Sequence, residues 1–180
     1  MLLDDKNGWH DFIYNLIYPA ILGSMLYDLF SFPVNDKWIY ASQIVLVLIY
    51  SLDYLHLYHD LKPPLIQAVK MFDIIVDGVI AFAFRLVFAA LSHTWLHVAP
   101  TVLAVILLLF LLYNLKRHPV ARAILLLFTT ISVGNAVLCF TLGSYSLKVF
   151  FVTVLLIFFA YVLYVFYAFP RYESRQRAAS

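Results

Sequence analysis

Val102-Leu103-Ala104-Val105-Ile106-Leu107-Leu108-Leu109-Phe110 runs without one polar side chain, inside a longer apolar stretch from Trp95 to Tyr113. A helix crossing the hydrocarbon core of a bilayer takes roughly 20 predominantly apolar residues. Lys116-Arg117-His118-Pro119 closes the stretch with charge and a helix breaker. Working outward, five more stretches of this kind occur, at about 12–32, 38–58, 65–91, 120–142 and 147–169. With 95–113 they predict an all-α polytopic membrane protein, a compact bundle of six transmembrane helices. One transmembrane domain then covers 1–180, with 170–180 as a short cytoplasmic tail, and the connections between spans are tight hairpins.

Composition agrees. Of 180 residues, 64% are hydrophobic and 12% charged, against about half and a quarter in soluble domains. Cys139 is the single cysteine, which excludes a disulfide scaffold and a paired-cysteine thiol oxidoreductase. There is no charge-rich disordered segment and no basic patch beyond the last ten residues, so no nucleic-acid partner is expected. A periodic arginine run, as in voltage sensors, and a Gly-rich nucleotide loop are both missing from the sequence. No register aligns the two halves as an inverted repeat.

Lys and Arg in the short loops set orientation. With the N-terminus cytoplasmic, the inner segments hold Lys6, Lys62, Lys116, Arg117, Arg122, Arg171, Arg175 and Arg177, and the outer loops hold Lys37 and Lys148. Both termini are therefore expected in the cytoplasm, with the chain in a plasma or bacterial inner membrane. The start, Met1-Leu2-Leu3-Asp4-Asp5-Lys6, does not read as a cleavable signal peptide. Trp9, Trp38, Trp95, Tyr113, Tyr145 and Tyr172 fall near span ends, as an interfacial aromatic belt would.

Ionisable residues at membrane depth are costly unless paired or hydrated, so they are the candidate functional residues. On span three, Lys70, Asp73, Asp77 and Arg85 share one helical face; on span two, Asp53, His56 and Asp60 do the same. Counting outward from Lys62 makes Asp53 level with Lys70. Asp28 and Arg85 both lie toward the outer ends of their spans. Two structural ion pairs are thus expected, Asp53–Lys70 and Asp28–Arg85. Asp77 is then placed near mid-membrane, level with Asn135 on span five. It is either a neutral group hydrogen-bonded to Asn135 or part of a proton- or cation-binding site. Gly78 and Gly134 adjoin these two residues and would let spans three and five meet. Spans four and six, dominated by large side chains, are expected at the periphery.

The leading reading is passage of a small ion, proton or solute through a polar interior between spans two, three and five. Asp77, Asp73 and Asn135 would be midplane contacts, with Asp53 and His56 as the cytoplasmic approach. The alternative is a non-transporting membrane subunit or effector, acting in a homo-oligomer or through a partner subunit. No cofactor is expected. A metal- or haem-dependent enzyme, with His56, His59 and His118 as ligands, is a third reading. His93 and His97 lie at the other membrane face. Asp73-Ile-Ile-Val-Asp77-Gly78-Val79-Ile80-Ala81 resembles the start of the CDP-alcohol phosphotransferase motif, but Phe82 stands where its arginine would be and no acidic pair follows. Leu55-His56-Leu57-Tyr58-His59-Asp60 is similar to a fatty-acid elongase histidine box, with Asp60 in place of the last histidine.

Overall fold

The computed structural model describes residues 9, 11–31, 34–60, 71–93, 95–114, 119–142 and 147–168. Lys70, the Lys62-Pro63-Pro64 turn, His118, the loop at Ser144 and the tail lie outside these residues. Nearly all the described residues are helical, and there is no strand among them. Six α-helices follow one another: α1 (Tyr18–Ser31), α2 (Lys37–Asp60), α3 (Met71–Ser92), α4 (Val98–Asn114), α5 (Pro119–Leu142) and α6 (Leu147–Leu163). A π-helical segment, Phe12–Ile17, leads into α1, and another, Tyr164–Ala168, extends α6. Each helix overlies one of the six apolar stretches. Three segments are long and apolar enough to cross a membrane, Lys37–His56, Ile74–Ser92 and Leu147–Phe166, while Val98–Leu112 and Leu125–Leu138 are shorter apolar helices.

Local chemistry accounts for the boundaries. Asp36 caps α2: its Oδ1 accepts the backbone N–H groups of Trp38 (2.7 Å) and Ile39 (3.2 Å), which have no partner inside the helix. Pro119 opens α5 at a position where its missing N–H costs nothing, and Pro100 sits in the first turn of α4. Pro19 acts differently. It offers no N–H to the carbonyl of Asn15 and its ring crowds that carbonyl, so the turn before it widens. The Tyr18 N–H then bonds the carbonyl of Ile13, five residues back. Span one, expected as a single run, is therefore two kinds of helix joined at Tyr18.

The packing order differs from the expected one. Helices α2, α3, α4, α5 and α6 each pack on the next, and α6 returns to α2; α1 lies against both α2 and α3. Span four, expected at the edge, is held between α3 and α5 and buries Ala99, Leu103, Ile106, Leu107 and Leu111. Span six is peripheral as expected, with 22% of its apolar run buried against 50% in spans two and three, and it packs along α2 through the stripe Phe150, Thr153, Val154 and Ile157. Span five, expected in the interior, has a narrow buried stripe (Phe128, Thr129, Ser132, Ala136) and exposes Leu126, Leu127, Val133, Val137, Leu138 and Phe140. Among the described residues, spans three and five share no extended contact. An added Cβ on Gly134 would meet nothing within 4 Å, whereas one on Gly78 would lie 3.0 Å from Ile13 Cδ1. Gly78 makes room for the segment before α1, not for span five.

Candidate functional site

Two acids on adjacent helices anchor the most polar part of the core. Asp53 on α2 is buried, 5% exposed, and Asp77 on α3 is half-buried. Tyrosines from three helices converge on them. Tyr161 of α6 donates to Asp53 Oδ1 at 2.7 Å, and the Tyr18 hydroxyl lies 3.4 Å from Asp53 Oδ2. That same hydroxyl is 3.3 Å from the backbone carbonyl oxygen of Asp77. Tyr14, in the π-helical lead-in, donates to the Asp77 carboxylate. Tyr50 donates to the Tyr18 carbonyl at 3.3 Å, fastening α2 to α1.

The rings form a stack as well as a hydrogen-bonded group. Tyr18 lies nearly parallel to Tyr14, Tyr50 and Tyr54, with centroids at 5.6, 5.2 and 5.9 Å. Tyr14, Tyr18 and Tyr50 are all closed off from solvent. A tyrosine suits this place because its ring supplies apolar area while its hydroxyl still finds a polar partner. The π-helical turn before Pro19 matters here, since Tyr14 and Tyr18 both face inward across it.

Tyr18 carries one hydroxyl proton but has two acceptors in reach. If Asp53 is ionised, the proton serves Asp53 Oδ2. If Asp53 holds a proton, Asp53 becomes the donor to Tyr18 Oη, and Tyr18 is free to donate to the Asp77 carbonyl. The same heavy atoms accommodate both protonation states. His56 sits one turn beyond Asp53, half-buried, with its ring edge-on to Tyr161 at 6.5 Å.

The remaining sequence candidates fall in different places. Arg85 and Asp28 meet, Nη2 to Oδ2 at 2.5 Å, with side chains 29% and 27% exposed; the guanidinium also lies over the Phe88 ring at 5.7 Å. Asn135 donates to Thr153 Oγ1 of α6 at 3.3 Å rather than to Asp77. The Asp53–Lys70 pair lies outside the described residues because Lys70 does. Asp73 and His59 are on α3 and α2, but their side chains are not described, and His118 is not described at all. Among the described residues no group of three or more His, Cys, Asp or Glu could hold a metal ion.

Reading the sequence for charge missed the tyrosines. They had a signal: Tyr14 with Tyr18, and Tyr50 with Tyr54, are spaced by four, and Asp53 falls between the second pair. Tyr161 had none, because nothing in the chain order says that α6 returns to α2. No protein-family model, no curated protein and no solved structure matches the chain.

Proposed function

We propose that the chain is a six-span integral membrane protein with both termini cytoplasmic, in which the Asp53 and Asp77 carboxyls take up and release a proton and the tyrosines around them adjust their hydrogen bonds to either state. The observation that carries this reading is the single Tyr18 hydroxyl set between the Asp53 carboxyl and the Asp77 carbonyl. Asp53 takes up the proton, and the Tyr18 hydroxyl then turns to hydrogen-bond the Asp77 carbonyl, which accepts that bond but no proton. When Asp53 releases the proton, the hydroxyl turns back. His56 is the approach from the end where α2 and α6 finish, which the loop charges make cytoplasmic. The six-span reading is supported by three helices long and apolar enough to cross a membrane and two shorter apolar ones, whose outward-facing Leu, Val and Phe suit a lipid surface. Helix α1 is counted as a span from its apolar sequence stretch. Asp73, one turn before Asp77 along α3, is kept in the proposal from the sequence alone. Asn135 belongs to the α5–α6 contact and is left out of the route.

The test is proton flux in proteoliposomes carrying a pH-sensitive dye, comparing the parent chain with Asp53→Asn, Asp77→Asn and Tyr18→Phe. Asparagine nearly matches a protonated aspartic acid in shape but cannot release a proton. All three variants are expected to fold and to lose flux. Undiminished flux through folded Asp53→Asn overturns the proton reading. A second reading, a non-transporting membrane subunit or effector, draws on the closure of Tyr14, Tyr18 and Tyr50 from solvent. It expects the same three variants to keep whatever activity the parent confers.

A further inference from the structure

At the end of the bundle opposite Asp53, the chain gathers the two cations assigned above to the outer loops. Lys37 opens α2 and Lys148 is the second residue of α6. Although 111 positions separate them, their ammonium groups lie 5.6 and 5.7 Å from the centroid of one ring, Trp38. The helices bring this about. Trp38 packs on Phe151 near the starts of α2 and α6 (5.6 Å), and Asp53 meets Tyr161 toward their ends, so the two helices run parallel and begin side by side. Both lysines are exposed and Trp38 is half-buried.

We infer that Lys37, Lys148 and Trp38 form a binding site for the phosphate of an anionic phospholipid headgroup. An indole settles at headgroup level, with its ring against the acyl chains and its N–H toward water. Two like charges held around one ring repel each other, and a phosphate diester is the anion a bilayer offers at that depth. The acid nearby, Asp36, is committed to capping: its Oδ1 holds the N–H groups of Trp38 and Ile39. It lowers the local positive charge without occupying the lysines. His93 and His97, at the turn between α3 and α4, contact Trp95 and Phe140 instead. This site shares with the proposed function only the embedding in a bilayer, and it does not depend on the proton route.

The experiment uses the full chain with Trp9→Phe and Trp95→Phe, so that Trp38 is the only tryptophan. It is reconstituted in phosphatidylcholine vesicles containing a minor share of phosphatidylglycerol, with bromine atoms on the upper acyl chain of one lipid or the other. Quenching by brominated phosphatidylcholine reports embedding alone. Brominated phosphatidylglycerol is expected to associate with Trp38 roughly tenfold more strongly, about what two lysines near a charged headgroup supply once Asp36 is discounted. Lys37→Gln with Lys148→Gln should erase the preference and leave the neutral-lipid quenching unchanged, and Lys37→Arg with Lys148→Arg should keep it. Equal quenching by the two lipids, or a preference that survives the double glutamine variant, overturns the site. Loss of the preference on adding inorganic phosphate at matched ionic strength would make it a free-anion site and overturn the lipid assignment.

Discussion

Asp28 and Asp53 are the same residue type at opposite ends of one bundle, and they are stabilised by opposite means. Asp28 has a guanidinium beside it, and each partner keeps more than a quarter of its side chain exposed. Asp53 has two tyrosine hydroxyls and almost no exposure. An ion pair holds only while both members are charged. A carboxyl held by hydroxyls tolerates either protonation state, since each hydroxyl can donate or accept. The difference separates a place built to keep a charge from one able to change it.

The largest effect should come from removing the residue that joins the two acids. Tyr18→Ala is expected to cost about 3–5 kcal/mol, the range for deleting a buried aromatic ring. Tyr18→Phe keeps the ring stack and removes only the hydroxyl, for about 1 kcal/mol or somewhat more. Thermal unfolding in detergent gives both values. If Tyr18→Phe proves as costly as Tyr18→Ala, the hydrogen bonds rather than the packing hold this end together.

Next in size is the comparison itself, made with one change at two positions. Asp28→Asn leaves Arg85 charged beside a neutral amide, and Arg85 Nη1 is already buried without a hydrogen-bond partner. With both side chains partly exposed, the loss should fall between surface and buried ion pairs, roughly 1–3 kcal/mol. Asp53→Asn keeps an acceptor for one tyrosine and offers a donor to the other, so about 1 kcal/mol or less is expected. Asp28→Leu with Arg85→Met should recover most of the stability lost in Asp28→Asn. Equal losses for the two Asn variants would abolish the distinction between the acids.

Hydropathy made the six helices legible, because a long apolar run has few other uses. Level counting along spans one and three placed Asp28 opposite Arg85, and the two residues meet. The order of packing was not legible, for a physical reason. Lipid is as apolar as a protein interior, so a run such as Val102–Phe110 looks the same whether it faces acyl chains or other helices. Large side chains therefore made α4 look peripheral, although Leu103, Ile106 and Leu107 lie inside. The tyrosines were hidden for a related reason, since a tyrosine near a span end reads as an interfacial anchor. Their true places depend on the Pro19-linked π-helical turn and on α6 packing against α2, and both belong to three-dimensional contact.

The smallest effects should come from the glycines, and they sharpen the contrast between occupied and open helix faces. Glycine in a helix interior costs roughly 0.5–1 kcal/mol relative to alanine, because its backbone loses more freedom on folding. At Gly23 and Gly134 an added methyl group would meet no atom within 4 Å. Both alanine variants should therefore gain a few tenths of a kcal/mol or more in detergent thermal unfolding. At Gly78 the methyl would come 3.0 Å from Ile13 Cδ1, so the tip of Ile13 must turn aside. That atom ends a flexible side chain, and a partial rotamer shift costs on the order of 0.5–1.5 kcal/mol. The backbone gain and the packing loss nearly cancel, and Gly78→Ala should lie near zero or slightly below. The sign of the difference is what matters: if Gly78→Ala is stabilised as much as Gly134→Ala, Ile13 does not press on α3. The lead-in segment would then be held chiefly through Tyr14 and Asp77. If Gly134→Ala is destabilised instead, its open face is covered in the membrane by something outside this chain, which would favour the subunit reading.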